Sequence, residues 1–123
     1  MKNTKKIVSL ILAICMIASL AISASAANTA PIFEDGSSEG NLMLVNESIN
    51  NYPQKVQIVR NDTGEQIYES GAIAIGSKIE HARLDAALPA GTYECTAYFH
   101  NLNPETGEII GTAGAIINIT IKN

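Results

Sequence analysis

The side chains that could carry out chemistry are few, and their spacing does not group them. The 123 residues include two histidines and two cysteines, together with twelve acidic residues. His81 and His100 lie far apart in sequence, whereas zinc ligands usually occur in closely spaced pairs. Cys95 would need an adjacent base and an exposed thiol to act as a nucleophile, but its place in an alternating segment points it inward. We therefore predict solvated histidines, a buried cysteine, and no catalytic, metal-binding or cofactor-binding residues.

The acidic residues raise two further possibilities, a calcium loop and a glycosidase carboxylate pair. The segment from Asp35 to Gly40, DGSSEG, resembles the start of a calcium loop, with oxygens at alternate positions and a glycine at the sixth. Its twelfth position is Asn46 rather than a bidentate glutamate, so a solvated linker is favoured. Twelve acids could also include a glycosidase pair, but a small domain without a large insertion leaves little room for a cleft.

The N-terminal segment has the pattern of a secretory signal peptide. Three lysines (Lys2, Lys5 and Lys6) precede an apolar run over residues 7–22, and the small residues SASAA follow. We assign residues 1–27 to the signal peptide, with cleavage after Ala26 or Ala27. A retained membrane helix and a lipid on Cys15 are the alternatives. Both are disfavoured, because the small-residue exit suits cleavage and Ile14 occupies a position where lipid attachment needs a small residue.

The charge balance restricts the partners. The whole chain has a formal net charge of −4, and loss of the three leader lysines leaves five basic against twelve acidic residues, a net charge of −7. Nucleic acids and anionic membranes require a basic surface, so neither is an expected partner. No second apolar segment follows residue 27, and we expect a secreted protein, extracellular or associated with the cell surface.

The remainder of the chain divides into an arm and a β domain. Residues 28–41 are polar and rich in glycine and serine, which predicts a flexible N-terminal arm with a short edge strand at Pro31–Phe33. Residues 42–123 contain short β-branched runs separated by turn residues, which is typical of an all-β sandwich. The predicted strands are Asn41–Asn46, Lys55–Arg60, Gln66–Ser70, Lys78–Leu84 (with a bulge near Glu80 and His81), Gly91–His100 and Ala113–Lys122.

One sequence frame occurs twice. TGEQIYESGAI begins at Thr63 and TGEIIGTAGAI begins at Thr106. Each copy joins two predicted strands, and each places a glycine, Gly64 or Gly107, where a type I turn is followed by a left-handed residue. Glycine adopts that positive φ without a steric penalty. The frame therefore predicts two hairpins with the same turn rather than a duplicated domain.

The segment LPAGTYECTAYFH, from Leu88 to His100, carries a family resemblance. Gly91, Tyr93 and Cys95 at spacings of two residues resemble the tyrosine corner that enters strand F of immunoglobulin-like domains. The partner cysteine and the tryptophan of antibody domains are absent, so the resemblance implies an immunoglobulin-like or fibronectin-III-like antiparallel sandwich of about seven strands. In that topology the two hairpins lie in one sheet and their turns lie at opposite ends.

A longer pattern resembles small secreted proteins of Gram-positive bacteria. It reads Y-x-S-G-x-I-x-x-G-x-x-I and then L-x-x-x-L-x-x-G-T-Y, within residues 68–97, although Ala74 and Ile75 stand where a proline before Gly76 is expected. Such proteins are mostly uncharacterised, so this resemblance implies a compartment and a fold rather than an activity.

These observations favour a non-catalytic module over an enzyme. We expect it to act by surface or edge-strand contact with a protein or an envelope polysaccharide. One alternative is an assembly subunit that polymerises by strand donation, with Pro31–Phe33 as the donor. Another is a small carbohydrate-binding module, for which Tyr52, Tyr68 and Tyr98 are the candidate platforms.

The leader pattern makes a prediction about the secreted product. Because SASAA presents small residues for cleavage after Ala26 or Ala27, the mature protein should begin at Ala27 or Asn28. Mass spectrometry of the culture supernatant measures this directly. Detection of an intact Met1, or of a lipid on Cys15, would contradict it.

Overall fold

The computed structural model describes residues 25–123, and most of the predicted signal peptide lies outside the described residues. The described chain is all-β, as predicted. No helix within residues 25–123 has the length and apolar character needed to cross a membrane. The strands are β1 (Ser25–Ala26), β2 (Ile32–Phe33), β3 (Glu39–Gly40), β4 (Leu44–Asn46), β5 (Gln54–Arg60), β6 (Gln66–Glu69), β7 (Lys78–Ile79), β8 (Ala82–Arg83), β9 (Gly91–Leu102) and β10 (Ile109–Ile121).

The strands form a small and a large sheet. The small sheet has the order β1-β4-β7, and the large sheet has the order β6-β5-β9-β10-β2-β3-β8. Neighbours pair antiparallel, except that β2 runs parallel to β10. The parallel pair departs from the wholly antiparallel arrangement that was predicted.

Alternating side chains of β9 and β10 build much of the core. Cys95, Ala97 and Phe99 of β9 point inward, as the alternation predicts, and pack with Ile117 and Ile119 of β10. Both isoleucines are fully buried, and burial of one such side chain stabilises the fold by about 1.5–3 kcal/mol. The small sheet contributes to the same core through Leu44.

The irregular spacing within Lys78–Leu84 has a different cause from the predicted bulge. The segment breaks at Glu80 and His81 into two strands that belong to different sheets. Strand β7 pairs with β4 of the small sheet, and β8 pairs with β3 of the large sheet. The chain crosses between sheets here, so its inward positions do not follow one period of two.

Two other strand boundaries differ from the prediction for local reasons. Strand β4 begins at Leu44 rather than Asn41, because Met43 has a φ of 48°, which interrupts an extended strand. Strand β10 begins at Ile109 rather than Ala113, because the ladder with β9 continues almost to the turn, with a register shift between Ile109 and Gly111.

Residues 28–41, predicted to be a flexible arm, are packed into the domain. Phe33 is 1% exposed and belongs to the core. The N–H groups of Asn118, Thr120 and Lys122 donate to the carbonyl oxygens of Thr29, Pro31 and Phe33 at 2.8, 3.0 and 2.9 Å. The short strand at Ile32–Phe33 is present, but it lies between β10 and β3 rather than at an edge.

The two copies of the repeated frame have the same backbone hydrogen bonds. In the first turn the N–H of Arg60 donates to the Glu65 oxygen, and the N–H of Gly64 donates to the Arg60 oxygen, each at 2.9 Å. In the second turn, the corresponding hydrogen bonds donated by the N–H groups of Asn103 and Gly107 are each 2.8 Å long. Gly64 and Gly107 have φ values of 75° and 76°, as the turn chemistry requires.

The two turns lie at opposite ends of the sheet. Arg60, just before the first turn, pairs with Cys95 near the start of β9. The second turn follows Leu102 at the end of β9. The turns are therefore separated by the length of that strand and do not form one site.

This geometry predicts the cost of replacing either turn glycine. An added Cβ at Gly64 or Gly107 would meet nothing within 4 Å, so the penalty comes from the positive φ alone. Alanine at either position should lower the free energy of unfolding by about 1 kcal/mol, and asparagine by less. The two alanine effects should add within about 0.5 kcal/mol in the double variant. Denaturant melts of the single and double variants check this, and strong non-additivity would contradict the separation of the turns.

Candidate functional site

Strand β10 is paired along its whole length on one side only. On one side, β9 accompanies it from Ile109 to Ile121. On the other side β2 reaches it only near its end, where Thr120 and Ile121 pair with Ile32 and Phe33. The side of Ile109–Ile117 that faces away from β9 has no strand beside it in residues 25–123. We call this side the free edge.

The alternating direction of the backbone groups along β10 determines which of them point toward the free edge. The N–H groups of Asn118 and Thr120 point toward β2. Because backbone groups alternate in direction along a strand, those of Thr112, Gly114 and Ile116 point the same way. Within the described residues they have no strand to pair with, so they are available to an added strand.

The free edge also lacks the features that normally prevent pairing with another chain. Its sequence, IIGTAGAII, has no charged residue and no proline. Ile109 and Ile110 are each 49% exposed, and Ile116 is 53% exposed. Edge strands are usually protected by charge, proline, a bulge or a covering loop. The register shift at Ile109/Gly111 is the one such feature here, and it lies at the end of the segment.

Strand β6, at the opposite end of the β6-β5-β9-β10 order, is covered by a loop. The N–H of Asp85 donates to the Ile67 oxygen, and a carboxylate oxygen of Asp85 accepts from the N–H of Glu69, both at 2.8 Å. Asp85 thus occupies both kinds of backbone group on that edge. The free edge of β10 has no such cap within the described residues.

A row of hydrogen-bonded side chains crosses the large sheet and ends at the free edge. The amide nitrogen of Gln57 donates to Glu69 at 2.9 Å, and its oxygen lies 2.6 Å from Nε2 of His100. Nδ1 of His100 lies 2.7 Å from the Thr112 hydroxyl. The row therefore joins β6, β5, β9 and β10. We call the face that carries it the outer face.

His100 is buried within this row, contrary to the predicted solvated histidines. It is 8% exposed, whereas His81 is exposed. Burial, and then the positive charge of Lys55, lowers the pKa of His100, while Glu69 acts in the opposite direction. The neutral ring suits the row, since Nε2–H can donate to the Gln57 oxygen while Nδ1 accepts from the Thr112 hydroxyl.

Tyr98 is the aromatic side chain beside the row. The residue is 37% exposed, and its ring stacks on His100, with ring centroids 6.4 Å apart. It also lies across Gly114, where an added Cβ would come within 3.5 Å of the ring and 3.2 Å of the Thr96 methyl group. Of the other candidate platforms, Tyr68 is buried and Tyr52 is 39% exposed on a different segment.

Cys95 lies in the core, where its thiol is shielded from solvent. It is fully buried, and burial raises the pKa of its thiol to about 11. Its sulfur lies 3.6 Å from the Tyr93 carbonyl oxygen. A thiol with this pKa stays protonated near neutral pH, and the thiolate is the nucleophilic form.

The remaining residues singled out by sequence have structural environments. Gly91 has a φ of 152° at the start of β9. The Tyr93 hydroxyl donates to the Pro89 carbonyl oxygen at 2.7 Å, and the Arg60 guanidinium lies 4.8 Å from the centre of the Tyr93 ring. Gly91, Tyr93 and Cys95 thus anchor the start of β9, while Gly64 and Gly107 occupy the separate turns.

The segment that resembled a calcium loop is a turn capped by the Asp35 carboxylate. One carboxylate oxygen of Asp35 accepts from the Ser37 N–H and from the hydroxyls of Ser37 and Ser38 at 2.9–3.0 Å. These bonds, the Ser37 N–H first, lower the pKa of Asp35. Across the part of the chain that the structure describes, no group of three or more His, Cys, Asp and Glu side chains could hold a metal ion.

No protein-family model, no curated protein and no solved structure matches this chain. The free edge and the row that ends at it were not identified from sequence. The available signal was the uncharged run IIGTAGAII in an acidic chain, but strand order decides whether such a run is an edge. The functional assignment therefore rests on the geometry of β10 and the outer face.

The buried His100 predicts a pH-dependent stability. Because its pKa is lowered in the folded state, the unfolded state binds more protons once the pH falls through the ordinary value of about 6.5. The free energy of unfolding should therefore decrease between about pH 7 and pH 5, and His100→Gln should reduce that decrease.

Urea melts at both pH values measure the effect, with His81→Gln as the exposed control. An equal change with pH in the wild type and His100→Gln would contradict the assignment, as would an equal reduction by His81→Gln.

Proposed function

We propose that this protein is a secreted, non-catalytic, immunoglobulin-like β-sandwich module that binds an extended segment of another macromolecule along the free edge of β10. The observation that carries this proposal is the uncharged, one-sided strand segment Ile109–Ile117. Strand addition supplies affinity through main-chain hydrogen bonds and selectivity through alternate side chains.

Two observations support the immunoglobulin-like part. The order β6-β5-β9-β10 in one sheet, with β4 and β7 in the other, is compatible with the strands C′, C, F and G, and B and E, of such a domain. The bond from the Tyr93 hydroxyl to the Pro89 oxygen has the geometry of a tyrosine corner, which also ties that hydroxyl to backbone a few residues upstream.

The leader pattern supports secretion and a role outside the cell or at its surface, and the acidic charge disfavours nucleic acids and anionic membranes as partners. The environments of the chemically active side chains support a non-catalytic role. Cys95 is buried with a raised pKa, and both ring nitrogens of His100 are held by neighbouring side chains. An envelope-facing binding role uses the exposed β10 and needs neither residue for chemistry.

Tyr98 supports carbohydrate binding as a second candidate function. It is 37% exposed on the outer face, opposite Gln57 in the ladder and with its ring stacked on His100, so it presents an apolar platform. A polysaccharide would contact this ring and would not require the backbone of β10. The two candidates therefore depend on different atoms of the same region.

Donation of the arm to a neighbour is less favoured than strand acceptance at the free edge. Ile32 and Phe33 already pair with β10 of their own chain, and Phe33 is buried in its own core. Donation would require β2 to separate from β10 and from the core of its own chain. The free edge needs no such rearrangement to accept a strand.

Replacement of Ile116 by proline tests the proposed use of the free edge. The N–H of Ile116 faces the free edge, so proline removes a donor that the ladder with β9 does not use. The mature chain, immobilised, would be exposed to the medium and surface extract of the producing cells. We expect a polypeptide retained by the wild type to be lost with Ile116→Pro and kept with the matched control Ile116→Thr.

Amide hydrogen exchange provides the direct readout. The amides of Thr112, Gly114 and Ile116 should exchange rapidly in the free chain and slowly in the complex. Equal retention of the polypeptide by all three proteins would contradict strand addition. Loss of a bound polysaccharide with Tyr98→Ala, but not with Ile116→Pro, would instead assign binding to the Tyr98 ring.

A further inference from the structure

The sequence of the free edge is nearly symmetric about its centre. From Ile109 to Ile117 the sequence is I-I-G-T-A-G-A-I-I, with an isoleucine pair at each end and small residues around Ala113. We infer that the strand added at the free edge is the free edge of a second copy of this chain, antiparallel to the first about a two-fold axis at Ala113. This inference rests on the proposed function, because it names the partner for the same edge.

The length of the free edge fits this register. It is bounded on one side by the turn that ends at Glu108 and on the other by Asn118, whose N–H is already bonded to Thr29. A two-fold axis at Ala113 places Gly111 opposite Ala115 of the second copy and brings Ile109, beyond the register shift, toward Ile117, so the paired segment matches the free segment. A register displaced far toward Asn118 would place the incoming strand against residues 29–31.

The direction of the backbone groups also agrees with a two-fold axis at Ala113. In this register Thr112 lies opposite Gly114 of the second copy, and both have backbone groups that face the free edge. Such a pair exchanges two hydrogen bonds, and the symmetry repeats the exchange. Ala113 then lies opposite its own symmetry mate as a non-hydrogen-bonded pair, the type in which Cβ atoms approach most closely.

The side chains favour a second copy over an arbitrary strand. Ile116 of one copy, about half exposed in the isolated chain, approaches the equally exposed Ile110 of the other at the register shift, and Gly111 lies opposite Ala115. Large residues therefore meet large residues at both ends, and small residues meet in the centre. Cross-strand apolar pairs of this kind stabilise antiparallel sheets.

The charge distribution also favours a second copy as the partner. An acidic chain repels its own copies over most of its surface, and this chain has a formal net charge of −4. The segment Ile109–Ile117 has no charge, so a copy can pair there without placing like charges opposite each other. The pairing is isologous, so it closes as a dimer and leaves neither free edge open.

The dimer should be weak. A single pair of short edge segments is small beside the about 1,200–2,000 Å² that a stable interface buries. The association should therefore depend on protein concentration.

Disulfide trapping of Ala113→Cys tests the two-fold register in the mature chain. A cysteine pair at a non-hydrogen-bonded position, with Cβ atoms about 4.5–5.5 Å apart, needs only a small adjustment to form a disulfide. We expect mild oxidation to yield a covalent dimer from this variant. Ala115→Cys is the matched control, because it lies on the same face of the same strand but opposite Gly111 rather than itself.

The control is stringent because Ala115 is more exposed than Ala113, so random collisions would cross-link Ala115→Cys first. The native Cys95 is fully buried, and the oxidised wild type measures any dimer that it forms. Equal cross-linking of both variants, or none, would overturn the second copy as the partner. Amide exchange of wild-type Thr112 and Gly114, measured at rising protein concentration, needs no variant. It should slow with concentration, and unchanged rates would also overturn the inference.

These outcomes separate the inference from the proposed function. If Ala113→Cys does not cross-link but a polypeptide from the producing cells is retained and lost with Ile116→Pro, the edge binds a different strand. If Ile116→Pro changes neither self-association nor retention, strand addition itself is wrong.

Discussion

The antiparallel ladder between β9 and β10 is the interaction on which the rest of the large sheet depends. Its pairs run from Gly91 with Ile121 to Leu102 with Ile109, and its inner face supplies much of the core. Strand β5 attaches to β9, and β2 attaches to β10. The attached strands are shorter than the ladder. The free edge exists because a two-residue strand, β2, meets a thirteen-residue strand, β10.

The outer face connects the covered side of the sheet with its free edge. Glu69 lies on β6, next to the Asp85 cap, and Thr112 lies on β10 at the free edge. Between them Gln57 and His100 join the two hairpins through side-chain bonds rather than through the backbone ladder alone. Each amide or ring nitrogen in the row has a defined partner, so the side chains that flank the free edge are ordered before any strand is added. Pre-ordering of this kind lowers the entropy lost on binding.

Sequence reasoning predicted the features that depend on neighbouring residues. The period of two in β9 and β10 predicted both strands and the inward position of Cys95, and the doubled TGE frame predicted two turns with Gly64 and Gly107 at positive φ. Those features follow from local alternation and turn chemistry, which a single sequence contains.

The features that were missed depend on which strands become neighbours. The polar composition of residues 28–41 indicated an arm, but the gap beside β10 accommodates Ile32 and Phe33. His100 is on the outward side of β9, as alternation predicts, yet Gln57 and Thr112 of two other strands enclose it. The break between β7 and β8 likewise reflects a change of sheet. Long-range pairing decides each of these cases, and one-dimensional patterns do not specify it.

The glycines of β10 explain how an unprotected edge can coexist with a folded, separate chain. Gly111 and Gly114 reduce the intrinsic strand tendency of the segment, while Tyr98 covers Gly114 on the outer face and restores contact with β9. The ladder thus holds the edge extended from one side, and the segment by itself is a weak template for indiscriminate pairing. An added strand gains most when its large side chains match the exposed isoleucines at both ends. The free edge therefore combines open backbone groups with small residues at its centre and isoleucines at its ends, and its proposed role as a binding edge depends on this combination.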